Sequence, residues 1–148
     1  MTRITAREIA VHTVYALDFT QNPAELVEER TGAGFFERLA GEDELFLSPP
    51  DEESALYIKT LVEGVDAHLA ELDGYIEKYA SGWSFGRISR IAVAVMRVCM
   101  YEILYRPDVP DAAAINAAVE ICKHYETAET AAFVNGILGN FYSGERVC

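Results

Sequence analysis

Apolar residues recur along this chain at intervals of three and four, and strand-like alternation is scarce, so the pattern reads as all-α. Ala6, Ile9, Ala10, Thr13, Val14 and Leu17 make one stripe of a first helix ending near Thr20, a stripe that leaves Arg7 and His12 off the buried face. Thr5-Ala-Arg-Glu8 predicts the start of that helix as a capping box, which places Arg3 in a short arm ahead of it. Pro23 suits the first position of a second helix running towards Ala40, with a break where Thr31-Gly-Ala-Gly34 stands. Gly41 to Ser54, acidic and carrying Pro49-Pro50, reads as a loop. Leu61, Val62, Val65, Leu69, Leu72, Ile76 and Tyr79 then hold the helical period, as one long helix or two nearly continuous ones.

Ser81-Gly82-Trp83-Ser84 separates this half from the next, where Ile88 to Tyr105 is apolar nearly all round and belongs at the centre of a bundle. The prolines of Arg106 to Asp111 end it. Ile115, Ala118, Val119 and Cys122 mark one face of a following helix, and Phe133, Val134, Ile137, Leu138 and Phe141 mark the last. Inside that last helix sits Asn135-Gly136, elsewhere a strong hairpin signal. A glycine there costs about 1 kcal/mol against alanine, so some other demand must offset it. Ala132, Gly136, Gly139 and Ser143 line up as a stripe of small residues, which predicts a close approach by a neighbouring helix.

The chain has 148 residues, one domain's worth, with no internal repeat. Three cysteines without a CxxC pair, and no secretory pattern at the start, suit a reducing cytoplasm. The longest apolar-rich stretch, Ile91 to Tyr105, is broken by Arg97 and Glu102 and is too short to span a bilayer. The net charge of −12 argues against nucleic acid until its distribution is considered. Residues 21–80 hold fifteen acids against four bases, whereas residues 81–106 come to +3. The chain can therefore present faces of different sign.

No catalytic or cofactor signature stands out. His12, His68 and His124 are scattered without metal-ligand spacing, and no phosphate-binding glycine loop or nucleophile elbow is present. What remains is recognition. Arg3, Arg7, His12 and Tyr15 cluster in or beside the first helix and offer charge for phosphate and an aromatic face for an unstacked base, although a plain solvated helix face would look the same. Asn135 reads equally as a loop-bonding cap or as a ligand contact.

The run "RVCMYEILYRPDVPDAAAINAAVEICKHYETAETAAFVNGILGNF" (Arg97 to Phe141) resembles the NusB family of transcription antitermination factors, whose motifs YEL, DVP, INEAVELAK and FVNGxL occur in this order and at these spacings. "AREIAVHTVYALDF" (Ala6 to Phe19) is similar to that family's opening; Gln21 to Glu53 is poorly matched. The resemblance implies a single-domain, all-helical bundle of about seven helices in two packed halves over residues 1–148, without catalytic activity or cofactor. It implies binding of boxA-type single-stranded RNA together with the small-ribosomal-subunit protein NusE, and read-through by the RNA polymerase elongation complex in ribosomal RNA operons. Carried onto this chain, the RNA surface comprises Arg3, Arg7, His12, Tyr15, Glu129, Phe133 and Asn135. The NusE surface follows the helix from Arg87 to Tyr105, with Arg87, Arg90, Tyr101 and Glu102. The chain departs from the family in its sparse arginine arm, in Ala92-Val93 where an acidic-basic pair is usual, and in Ala132 where a lysine is frequent. A helical interaction module that leaves RNA to its partner is the alternative, and the periodicity leaves monomer and homodimer both open.

Overall fold

The computed structural model describes residues 1–32, 35 and 50–146. Seven α-helices make up the described residues: α1 (Arg3–Leu17), α2 (Pro23–Arg30), α3 (Glu52–Ala67), α4 (Leu69–Tyr79), α5 (Arg90–Tyr105), α6 (Asp111–Tyr125) and α7 (Ala128–Phe141). A 3-10 turn at Phe85–Arg87 precedes α5, and a π turn at Tyr142–Arg146 follows α7. No strand occurs among the described residues.

Helix α5 is the axis of the bundle and packs against α1, α3, α4, α6 and α7. Its residues from Ala92 to Ile103 are all buried, as the nearly continuous apolar pattern requires. The charges that interrupt this pattern are buried too, and each ties α5 to two neighbours. The Arg97 guanidinium donates from Nε and Nη2 to the Asp73 carboxylate on α4, at 2.7 and 2.9 Å, and from Nη1 to Asp18 Oδ1 after α1, at 2.9 Å. Glu102 accepts from Arg7 Nε of α1 at 2.8 Å and from the Tyr57 hydroxyl of α3 at 2.6 Å. Buried charges held this completely restrict which helix rotations and offsets are possible. Gly64 has a similar effect by shape: a Cβ built there would fall within the Tyr101 ring, so α3 meets α5 through bare backbone.

Several boundaries differ from the sequence expectation. The first helix begins one turn earlier, because Thr2 caps it by accepting from the Thr5 N–H at 3.2 Å. Arg3 is thus the first helical residue rather than part of an arm, and Thr5 forms no capping box with Glu8, which is buried and bonded to His124 Nδ1 at 2.9 Å. The helix ends at Leu17. Helix α2 stops at Arg30, capped by Thr31, and most of the loop expected over 41–54 lies outside the described residues. Its last part is helix, since α3 starts at Glu52. The 61–79 pattern is two helices, divided at His68. After α4 the chain turns through Gly82, whose φ of +85° is a conformation that glycine adopts without strain.

Helix α5 starts at Arg90, two residues later than the pattern suggested, because Ser89 caps it by accepting from the Ala92 N–H at 3.3 Å. On α6 the buried face is Ala114, Ala117, Ala118, Ile121 and Cys122, with Ile115 and Val119 at its margins. Alanines there allow a close approach to α5, and the larger side chains cover the edges. Among the described residues the small-residue stripe of α7 receives no helix: a Cβ on Gly136 or Gly139 meets nothing within 4 Å, and Ala132 and Ser143 are exposed. Among the described residues no helix is long and apolar enough to cross a membrane.

Candidate nucleic-acid interface

Of the residues expected to meet RNA, Arg3, Arg7, His12 and Tyr15 lie along α1, and Glu129, Phe133 and Asn135 lie on α7. Arg3 occupies one end of α1, half-exposed, with its guanidinium carbon 3.8 Å from the centroid of the Tyr57 ring and its Nη2 3.9 Å from Glu53. Arg7, one turn on, is turned inward and 8% exposed. Its ion pair with Glu102 accounts for this: burial alone lowers the arginine pKa, but the hydrogen bond and charge of Glu102 outweigh it and hold Arg7 above its ordinary value. Arg7 was expected off the buried stripe, and it lies inside because a buried carboxylate opposite draws it there. Glu102, expected on a partner surface, is 1% exposed and serves the same internal pair. Burial, then the Glu102 charge, also push the Tyr57 phenol well above its usual range, so its proton stays available to Glu102.

His12 is half-buried, its Nε2 2.7 Å from the Tyr125 hydroxyl of α6, with the two rings edge to face at 5.2 Å. Tyr15 is exposed and lies against Phe19, the more exposed of the two, with centroids 5.0 Å apart.

The other end of the candidate surface is assembled from distant segments. Thr127 caps α7 by accepting from the Thr130 N–H at 3.1 Å, which places Glu129 in the exposed first turn and Phe133 one turn further on. Phe133 packs on Trp83 with ring centroids 5.2 Å apart, and Trp83 is 55% exposed. Ser89 donates to Glu126, tying the start of α5 to the end of α6 beside this pair. The result is a groove of about 260 Å³ lined by Trp83, Arg87, Ile88, Ser89, Glu129, Thr130 and Phe133. Two rings, one with an open face, stand beside an exposed guanidinium, a combination that suits stacking of an unpaired base with its phosphate close by. Asn135 is exposed, and its side chain makes no hydrogen bond among the described residues.

The set expected for a protein partner is divided. Arg87 belongs to this groove. Arg90, at the start of α5, donates to the Phe85 carbonyl at 3.2 Å, lies over the Phe85 ring and is 3.7 Å from Asp18. Tyr101 and Glu102 lie eleven or more residues further along α5, about 16 Å at 1.5 Å per residue. Tyr101 is 9% exposed, and the surface around it belongs to Tyr105 and His68, which stack at 4.3 Å.

Trp83 was not anticipated as a functional residue. The chain's single tryptophan in a serine-glycine linker was the available signal, but its pairing with a phenylalanine fifty residues later is a tertiary fact.

The chain is 39% identical over 145 residues to the transcription antitermination protein NusB of Ruminiclostridium cellulolyticum, an alignment covering 98% of this chain and 91% of the relative. Among solved structures, T. maritima NusB superposes with a TM-score of 0.74 at 26% identity, covering 97% of this chain and 92% of that one. A structure of the antitermination factors NusB and NusE in complex with dsRNA matches with a TM-score of 0.75 at 24% identity, covering 96% of each chain, and shares the fold. The NusB family model matches residues 4–143, and with that span covered this chain belongs to the NusB family.

Proposed function

We propose that this protein is a transcription antitermination factor that binds boxA-type single-stranded RNA together with the small-ribosomal-subunit protein NusE, and so supports read-through by the RNA polymerase elongation complex in ribosomal RNA operons. The observation that carries the proposal is the Trp83–Phe133 shelf beside Arg87, in a chain of this family. Bases stack on the shelf, and Arg87 and Arg3 neutralise phosphates on either side of the α1 face that carries His12 and Tyr15. Glu129 and Asn135, exposed on α7, offer polar groups to base edges next to the rings. NusE engages the opening of α5 near Arg90, where the exposed Phe19, next to Asp18, supplies apolar area. The protein acts without a cofactor, in the cytoplasm.

A second reading is favoured by a specific observation: with Arg7 committed to Glu102, Arg3 is left as the one arginine of α1 on the surface, in a chain of net charge −12. On that reading the protein is an interaction module and its partner holds the RNA. Binding of a labelled boxA-type RNA, with and without purified NusE across a salt series, separates the two. Binding that weakens in Trp83→Ala and Arg87→Ala supports the first reading. Wild-type protein that leaves RNA binding by NusE unchanged refutes it.

A further inference from the structure

We propose that Arg106, in the turn after α5, joins Arg3 to form a two-arginine seat for an RNA phosphate on the rim of the Tyr57 ring. The inference rests on the RNA-binding reading above and adds a contact from a part of the chain to which that reading gave no role. Arg3 and Arg106 come from opposite parts of the sequence and converge on one aromatic ring, their guanidinium carbons 3.8 and 5.3 Å from its centroid. The ring itself is fixed. Tyr57 is 3% exposed and its hydroxyl is held by Glu102, so the ring is a rigid floor. A guanidinium lying over a ring keeps its N–H donors for acceptors at the ring's edge, which suits a phosphodiester more than a point charge.

The two cations are close enough to feel the same anion. The Asp108 carboxyl is held down to about 2, first by its hydrogen bonds from Arg106 and, to a smaller degree, by the charges of Arg106 and Arg3. Asp108 accepts from Arg106 Nε and Nη2 at 3.0 and 2.9 Å, a bidentate geometry that a phosphate oxygen pair would copy. Its side chain is 58% exposed, as is expected of a partner that can swing away, whereas Arg106, 20% exposed, lies over the Tyr57 ring and directs Nε and Nη2 to that carboxylate. Of the other acids near the site, Glu53 stands 3.9 Å from Arg3 and is 85% exposed, whereas Glu102, whose charge also reaches Arg106, is buried and bonded to Arg7 and Tyr57. Asp108 and Glu53 therefore act as replaceable placeholders, while the third guanidinium over the ring, that of Arg7, is committed to Glu102 and takes no part.

The test is binding of a labelled boxA-type RNA in the presence of NusE over a salt series, comparing wild type with Arg106→Ala, Arg106→Lys and Asp108→Asn, each checked for an unchanged urea midpoint. Arg106→Ala is expected to weaken binding roughly tenfold at low salt, the effect of one lost charge-assisted contact, and to flatten the log–log salt slope by about 0.7 to 1. Arg106→Lys recovers the slope but only part of the affinity. Asp108→Asn strengthens binding, because it removes the competing carboxylate. Wild type that binds while Arg106→Ala matches it in affinity and slope overturns this inference and leaves the functional reading standing; wild type that does not bind overturns both. Should Arg106→Ala fail to fold, Asp108→Asn decides, and unchanged affinity in that variant overturns the proposal.

Discussion

Replacing Arg7 by alanine tests whether this residue belongs to the fold or to the RNA surface. Glu102 is 1% exposed and is held by Arg7 Nε, by Arg7 Nη2 at 3.4 Å and by the Tyr57 hydroxyl. Without Arg7 the carboxylate keeps the Tyr57 donor and loses its hydrogen-bonded cation. Breaking a buried pair by removing one partner costs about 3–5 kcal/mol, a large share of the roughly 5–15 kcal/mol that holds a domain together. For a chain of this size, that loss lowers the melting temperature by about 6–20 °C. Urea unfolding followed by helical circular dichroism at pH 7 reads this directly. Arg3→Ala, which removes an exposed stacked cation, is the contrast and is expected to lose no more than about 1 kcal/mol.

Arg7→Met combined with Glu102→Gln recovers part of the loss, since glutamine can still accept from Tyr57. An Arg7→Ala midpoint within about 0.5 kcal/mol of wild type, the range of ordinary surface changes, would refute the buried-pair account and return Arg7 to the RNA surface.

Three further outcomes follow from particular contacts. Gly64→Ala forces the Tyr101 ring off the α3 backbone and is expected to cost about 1–3 kcal/mol by overpacking, measured by urea unfolding. Gly136→Ala, in open space on α7, is expected to stabilise the protein by up to about 1 kcal/mol, and Gly136→Leu to leave the fold intact; a destabilised leucine variant would reinstate the close-packed stripe. The Asp108 carboxyl should titrate near 2 by carbon NMR and return to the ordinary range in Arg106→Ala. Because its pKa is depressed in the folded protein, its small stabilising effect is present above the usual carboxylate pKa and is lost as pH falls towards 2.

Helix positions were legible because the 3.6-residue period is strong, and the central place of α5 followed from its lack of a polar face. What period cannot report is which polar residue has a partner on another helix. Arg97 and Glu102 looked like interruptions and are internal ties; Arg7 looked solvated and is buried. Caps were ambiguous for a local reason, since threonines at 2 and 5 both suit a first turn and the earlier one caps the helix. On α6, weight given to Ile115 and Val119 drew the apolar face away from the alanines that touch α5. At the candidate site, Phe133 was reachable through its motif, whereas Trp83 and Arg106 acquire their neighbours only when segments far apart in sequence are folded together.

The central position of α5 also constrains how the chain is made. Helices α1 to α4 are synthesised first, yet α1, α3 and α4 each direct part of their apolar face at a helix that begins only at Arg90. Until that segment has left the ribosome, those faces can cover only one another, and both Arg7 and Asp73 wait for their partners on it. Completion of the fold during translation is therefore a late event, set by the emergence of one segment, and the nascent amino-terminal half is the stage at which this protein is most exposed to aggregation.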